Sequence, residues 1–215
     1  MHARSLDEIL KASPVVPVMV IEQLADAVPL AQALVAGGIR VLEITLRSEA
    51  ALAAMAAIMG EVPEAIVGAG TVTSVEQLAQ VEALGVEFAL SPGLTTGLLR
   101  AAQDMGLHYI PAIATASDIM LGMEHGYERF KLFPASVLGA GQLLQAFNGP
   151  FPNVRFCPTG GLTMDNFAEV LALPNVQCVG GSWLTPKALV QRKDWPAITR
   201  LAQQTVTAQL AQQTV

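Results

Sequence analysis

Lys131 stands in Glu128-Arg129-Phe130-Lys131-Leu132-Phe133-Pro134-Ala135, an aromatic and aliphatic run without a helical stripe that a proline ends. The chain has four lysines; Lys11 falls in a polar N-terminal helix, and Lys187 and Lys193 in a C-terminal surface segment. Lys131 alone is enclosed by Phe, Leu and Phe. An ammonium in such surroundings loses hydration, which favours the neutral amine. Neutral amine is the form that attacks a ketone to make a Schiff base. The competing expectation is a packed stem whose charge snorkels to the strand end or pairs with an acid.

Glu43, Thr45 and Arg47 follow at spacing two within Val41-Leu42-Glu43-Ile44-Thr45-Leu46 and its continuation. In an extended segment they share a face. Glu43 and Arg47 either pair with each other or act separately, as a proton shuttle and as an anchor for a substrate carboxylate. Thr71 either hydrogen-bonds a ligand or caps the next helix. Pro92, in Ser91-Pro92-Gly93, either shapes a pocket wall or simply makes a turn. Thr159-Gly160-Gly161 and Gly180-Gly181-Ser182 end two further strands, the first ahead of a helix that Thr163 is expected to cap. Paired glycines there leave backbone N–H groups bare for a phosphate, or else make tight turns. A condensing amine, an acid/base, a carboxylate-holding cation and a phosphate pocket together describe a Schiff-base aldolase acting on a phosphorylated 2-keto acid.

The elements that must position these groups recur along the chain. Ser5 to Ala12 reads as a short helix opened by a Ser5/Glu8 capping box. Eight short apolar runs follow, beginning at Val15, Val41, Ala65, Phe88, His108, Glu128, Val154 and Val176, each succeeded by a helical segment. Apolar strands without alternation, spaced by helices, predict a parallel sheet covered by helices, and eight such units predict a (β/α)8 barrel with an extra N-terminal helix. An open doubly wound sheet would carry a glycine-rich fingerprint after its first strand; Val20-Ile21-Glu22 is not one. In a barrel, reacting groups lie at the C-terminal strand ends, where the residues above fall. The whole of 1–215 reads as one domain. Leu-Ala-Gln-Gln-Thr-Val, at 201–206 and again at 210–215, reads as a helix running into a Gln-rich tail outside the core from about 204.

Composition sets limits. The chain has 215 residues, 52% hydrophobic and 14% charged, with net charge −6, which argues against a nucleic-acid binder and a polybasic membrane patch. Cys157 and Cys178 lie in apolar runs without metal-ligand spacing and read as small buried hydrophobes in a reducing, cytoplasmic setting. His2, His108 and His125 form no pattern with the site residues. The N-terminus is too polar for a signal peptide, and no apolar run reaches transmembrane length.

At these residues the sequence resembles the family of 2-keto-3-deoxy-6-phosphogluconate (KDPG) and 4-hydroxy-2-oxoglutarate (KHG) aldolases. The likeness spans about Leu6 to Gln203. It is carried by Val41–Arg47, Ile66–Val72, Ser91–Thr95, Phe130–Ala135, Arg155–Gly161 and Gly180–Leu184. It implies a (β/α)8 barrel, a homotrimer, a place in the Entner–Doudoroff pathway, and cleavage of KDPG into pyruvate and glyceraldehyde 3-phosphate. It also implies action on KHG, and no metal or organic cofactor. Residue by residue, Lys131 would carry the Schiff base and Glu43 would be the general acid/base. Arg47 and Thr71 would hold the pyruvate carboxylate, with Pro92 and Phe133 shaping the pyruvoyl pocket. Thr159 would contact substrate hydroxyls; Gly160, Gly161 and Ser182 would bind phosphate. Arg129 departs from the pattern, which has an acidic residue two places before the lysine, and introduces a second cation on that face.

Three rivals remain. An aldolase for the galactonate epimer differs at one hydroxyl. A phosphosugar isomerase or epimerase would use Glu43 as base and Lys131 protonated, never bonded to substrate. A non-catalytic phosphate-binding barrel would have no use for Glu43.

Overall fold

Val41, Glu43 and Thr45 alternate with Leu42 and Ile44, and the two sets meet different surroundings. The computed structural model describes residues 4–212. Leu42 and Ile44 belong to an apolar layer packed beneath the helices, whereas Val41 joins Val16, Ile66, Phe88, Leu90, Ile110, Cys157 and Cys178 in a second cluster inside a ring of strands. Period-two alternation thus sends one side of each strand to the helices and the other to the barrel interior.

The strands are β1 Val15–Met19, β2 Val41–Thr45, β3 Ile66–Gly70, β4 Phe88–Leu90, β5 His108–Ile110, β6 Ala112–Ile113, β7 Arg129–Leu132, β8 Arg155–Pro158 and β9 Val179–Gly181. Their ladders are parallel, in the orders β5-β4-β3-β2-β1-β9 and β6-β7-β8. The fifth expected strand divides into β5 and β6 because Pro111 has no N–H to give the ladder; its carbonyl still accepts from Lys131 N at 3.0 Å. Bridges Phe156↔Val176 and Thr159↔Gly180 join β8 to β9, so eight staves close a (β/α)8 barrel.

Side-chain caps set where three of the covering helices start. Ser74, Thr95 and Thr115 accept from the backbone N–H three residues on, opening Val75–Leu84, Thr96–Met105 and Ala116–Glu124. The first helix, Leu6–Lys11, has the expected Ser5/Glu8 capping box and sends Ile9 and Leu10 into the interior cluster. It closes the barrel's N-terminal end. Arg129 forks onto its Asp7 at 2.8 and 3.0 Å. The extra cation expected near Lys131 is therefore neutralised at the opposite end of the barrel.

Two boundaries differ from the sequence expectation. Thr163 does not cap the helix after β8: that helix is Phe167–Leu171 with Asn166 at its N-cap, and Asn166 Oδ1 accepts from Thr163 N at 2.9 Å, holding an intervening turn. The last helix, Trp195–Gln212, takes in the first hexapeptide copy and runs into the second. Within the expected tail, Thr205 is buried and accepts from Trp183 Nε1 at 3.2 Å. The ends of the chain, with His2, the polar N-terminal residues 1–3 and the close of the second copy at 213–215, lie outside the described residues. Among the described residues no helix is long and apolar enough to cross a membrane.

Candidate active site

β7 carries Lys131 between Ala112 of β6 and Cys157 of β8. Phe130 and Leu132 pack outward under the helices, so alternation turns Lys131 inward. Its Nζ lies 3.2 Å from Glu43 Oε1, with the residues 5% and 1% exposed. The pairing admitted as an alternative for Lys131 is thus present, and its partner is a potential proton shuttle. The Phe133 ring centroid is 5.5 Å from Nζ. A buried pair of this kind is fragile to truncation: removing one partner leaves an uncompensated charge, at about 3–5 kcal/mol.

Glu43 lies against β3 because that strand is bare beside it. Glu43 pairs with Gly68 and Thr45 with Gly70, and a Cβ at Gly70 would run into the Glu43 carboxylate. Arg47 does not pair with Glu43: its Nε donates to Thr45 Oγ1 at 3.2 Å, and Thr45 Oγ1 donates to the Met19 carbonyl at 2.8 Å.

Thr71, just past β3, has φ 61°. A β-branched side chain rarely enters this left-handed region, where strain costs about 1–3 kcal/mol. Pro92 sits on a turn in which Ser91 Oγ donates to the Gly93 carbonyl and accepts from Tyr109 OH at 2.6 Å. Burial pushes the Tyr109 phenol up to about 12, so it stays a donor at neutral pH. Pro92 forms the turn and also lines the cavity.

Thr159 is 4% exposed, with Oγ1 donating to the Cys157 carbonyl at 3.3 Å. Gly180 makes room for it, since a Cβ there would strike Thr159 Oγ1. Gly160 and Gly161 have φ of 101° and 76°, which a side chain would resist. Both precede the Phe167 helix by a full turn region, so their own backbone, not an adjoining helix start, supplies any anion contacts.

One cavity of about 270 Å³ brings together Glu43, Arg47, Thr71, Pro92, Lys131, Phe133, Thr159, Gly160, Gly161 and Ser182. All ten sequence-selected site residues therefore lie around a single space. Val18, Leu162 and Gly180 also line it and were not singled out. Val18 and Leu162 carry no chemical signal in sequence; Gly180 stood in the Gly-Gly-Ser stretch, but its spatial service to Thr159 needs the barrel closed. Cys157 and Cys178, separate in sequence, meet beneath the site. The hydrogen bond that Cys178 donates to Cys157, with burial, raises the Cys178 thiol well above its ordinary value. His108, at the barrel's other end, has Nε2 2.8 Å from the Arg4 carbonyl, and among the described residues no three His, Cys, Asp or Glu side chains cluster.

The arrangement can place an amine against a bound carbonyl, with a carboxylate beside it to move protons. Comparison with known proteins agrees. The model of the KDPG and KHG aldolase family matches residues 6–201. A 2-dehydro-3-deoxy-phosphogluconate aldolase of Pseudoalteromonas atlantica is 54% identical over 202 residues, 94% of each chain. The KHG/KDPG aldolase of Escherichia coli K12 is also 54% identical over 202 residues, 94% of this chain and 95% of its own. A Legionella pneumophila KDPG aldolase, solved with pyruvate captured as a covalent carbinolamine, superposes with TM-score 0.91 at 46% identity over 93% of this chain and 97% of that one. The chain with Lys131 and Glu43 in its barrel thus belongs to the KDPG and KHG aldolase family.

Proposed function

We propose that the protein is a class I aldolase that cleaves KDPG to pyruvate and glyceraldehyde 3-phosphate, and KHG to pyruvate and glyoxylate. The observation that carries this is the buried 3.2 Å pair of Lys131 and Glu43 within one cavity. Arg47 and Thr71 hold the substrate carboxylate; Pro92 and Phe133 wall the pyruvoyl group. Thr159 meets the hydroxyls, and Gly160, Gly161 and Ser182 take the phosphate. Among the described residues that line the cavity the cations are Lys131 and Arg47, both given other roles, so the phosphate relies on N–H and O–H donors.

Lys131 Nζ, as free amine, adds to the C2 carbonyl while Glu43 delivers a proton to the carbonyl oxygen. The Glu43 carboxylate takes a proton from the carbinolamine nitrogen and returns it to that oxygen, whose loss as water leaves a protonated iminium. The C3–C4 bond then breaks and its electron pair moves toward the iminium, giving an enamine. The C4 hydroxyl proton passes to the Glu43 carboxylate through water, and the aldehyde leaves. Protonation of the enamine at C3 and hydrolysis release pyruvate and return the amine.

We further infer a cytoplasmic enzyme of the Entner–Doudoroff pathway acting as a homotrimer without metal or organic cofactor. Exposed Met120, Met123 and Val137 offer apolar surface for subunit contact. The test of substrate is release of pyruvate and the phosphorylated aldehyde from KDPG, compared with its galactonate epimer and KHG. Faster turnover of the galactonate epimer would overturn the KDPG assignment, and mass measurement of the native assembly tests the trimer.

A further inference from the structure

Arg47 borders two spaces. One is the catalytic cavity. The other is a groove of about 710 Å³ between the segment after β1 and the helix Lys187–Gln191, and the two share Val18, Arg47 and Ser182. The Arg47 side chain is exposed, so packing does not fix it. An unrestrained arginine keeps its rotamer entropy, which binding a carboxylate would have to overcome. The groove also offers a competing acceptor. Asp26 lines it at 8% exposure; among the described residues its Oδ1 accepts no hydrogen bond, and the Lys193 ammonium lies 3.8 Å away.

Thr45 opposes that alternative. It is fully buried at the C-terminal end of β2. Its single hydroxyl proton is committed to the Met19 carbonyl at 2.8 Å, which leaves the oxygen's lone pairs for Arg47 Nε at 3.2 Å. The bond occupies Nε and leaves the terminal nitrogens to form a two-pronged contact with a carboxylate. Met19 belongs to β1, so the guanidinium is referenced through one hydroxyl to two adjacent staves.

We infer that Thr45 is a positioning residue: through Arg47 Nε it holds the guanidinium toward the catalytic cavity and so sets affinity for the substrate carboxylate. This rests on the aldolase function proposed above, and in particular on Arg47 as carboxylate anchor.

The test compares Thr45→Val, which keeps shape and removes the hydroxyl, with Thr45→Ser, which keeps it. Thr45→Val should raise KM for KDPG, and the pyruvate concentration for half-maximal borohydride trapping, about 10-fold, as for loss of a hydrogen bond to a charged group. Its kcat should change far less, and Thr45→Ser should lie near the parent. In an Arg47→Ala background the same Thr45→Val change should add almost nothing to KM. An unchanged KM, or an equal loss with and without Arg47, overturns the inference. If Thr45→Val does not fold, the parent protein still decides. NMR should find one ordered, slowly exchanging arginine Nε–H that Arg47→Lys removes; a rapidly averaged Arg47 signal overturns the inference. A parent protein that pyruvate and borohydride fail to label overturns the aldolase function itself, which separates the two failures.

Discussion

Gly70 and Glu43 share the inner face of neighbouring strands, and the Glu43 carboxylate fills the space where a Gly70 side chain would lie. The position of Glu43 is thus set by an absence on β3 as much as by the pull of Lys131. Gly70→Ala should push the carboxylate off the amine and lower kcat about 100-fold, the scale of an ångström's misplacement in an active site. Circular dichroism should remain that of the parent. Parent-like pyruvate release by Gly70→Ala would show that Glu43 does not need this space.

Glu43→Gln keeps the shape of the side chain and removes its proton-transfer capacity. Turnover of KDPG should fall by roughly two to four powers of ten. Single-turnover measurements should place the loss in iminium formation and aldehyde release. A variant with parent turnover would favour a barrel in which Glu43 only balances the Lys131 charge.

Thr71→Gly separates strain from function. Relief of the left-handed backbone, less the added flexibility of glycine in the unfolded chain, should leave stability equal to the parent or about 1 kcal/mol higher. Pyruvate affinity should nevertheless weaken. A fall in melting temperature would show that the Thr71 side chain holds the loop, and parent affinity would remove it from the carboxylate site.

Asp7 and Arg129 predict an acid limb in stability. The hydrogen bond from Arg129 holds the Asp7 carboxyl at about 2, below its ordinary 3.8. Because the folded value is the lower one, the contribution is present above about pH 4 and is lost as pH falls through 2. The pair is partly exposed, so the amount is about 1 kcal/mol or less. Asp7→Asn should flatten the corresponding part of the melting temperature against pH curve; an unchanged curve would contradict the assignment.

The barrel was legible because eight apolar runs alternate with helical segments, some of which carry their own caps, such as Ser74 and Thr95. The site was legible where side-chain type conflicts with its setting: Lys131 among aromatics, Glu43 on an apolar strand, paired glycines at strand ends. What depended on closure was hidden. The roles of Gly70 beside Glu43 and Gly180 beside Thr159 are spatial, and a glycine in sequence does not say what it makes room for. The Cys157–Cys178 contact and the Asp7–Arg129 fork join residues far apart in the chain. Thr163 misled because a threonine after a glycine pair reads as a cap, whereas its own N–H is held by Asn166 Oδ1 in a turn and the helix begins only after Asn166.

The central claim is a covalent bond between Lys131 and a keto acid. Incubation with pyruvate and borohydride, followed by peptide mass analysis, should place a reduced adduct on the peptide containing Lys131, with loss of aldolase activity in proportion. Lys131→Ala should take up none. An unlabelled Lys131 peptide, or continued labelling of the Lys131→Ala protein, would contradict the account.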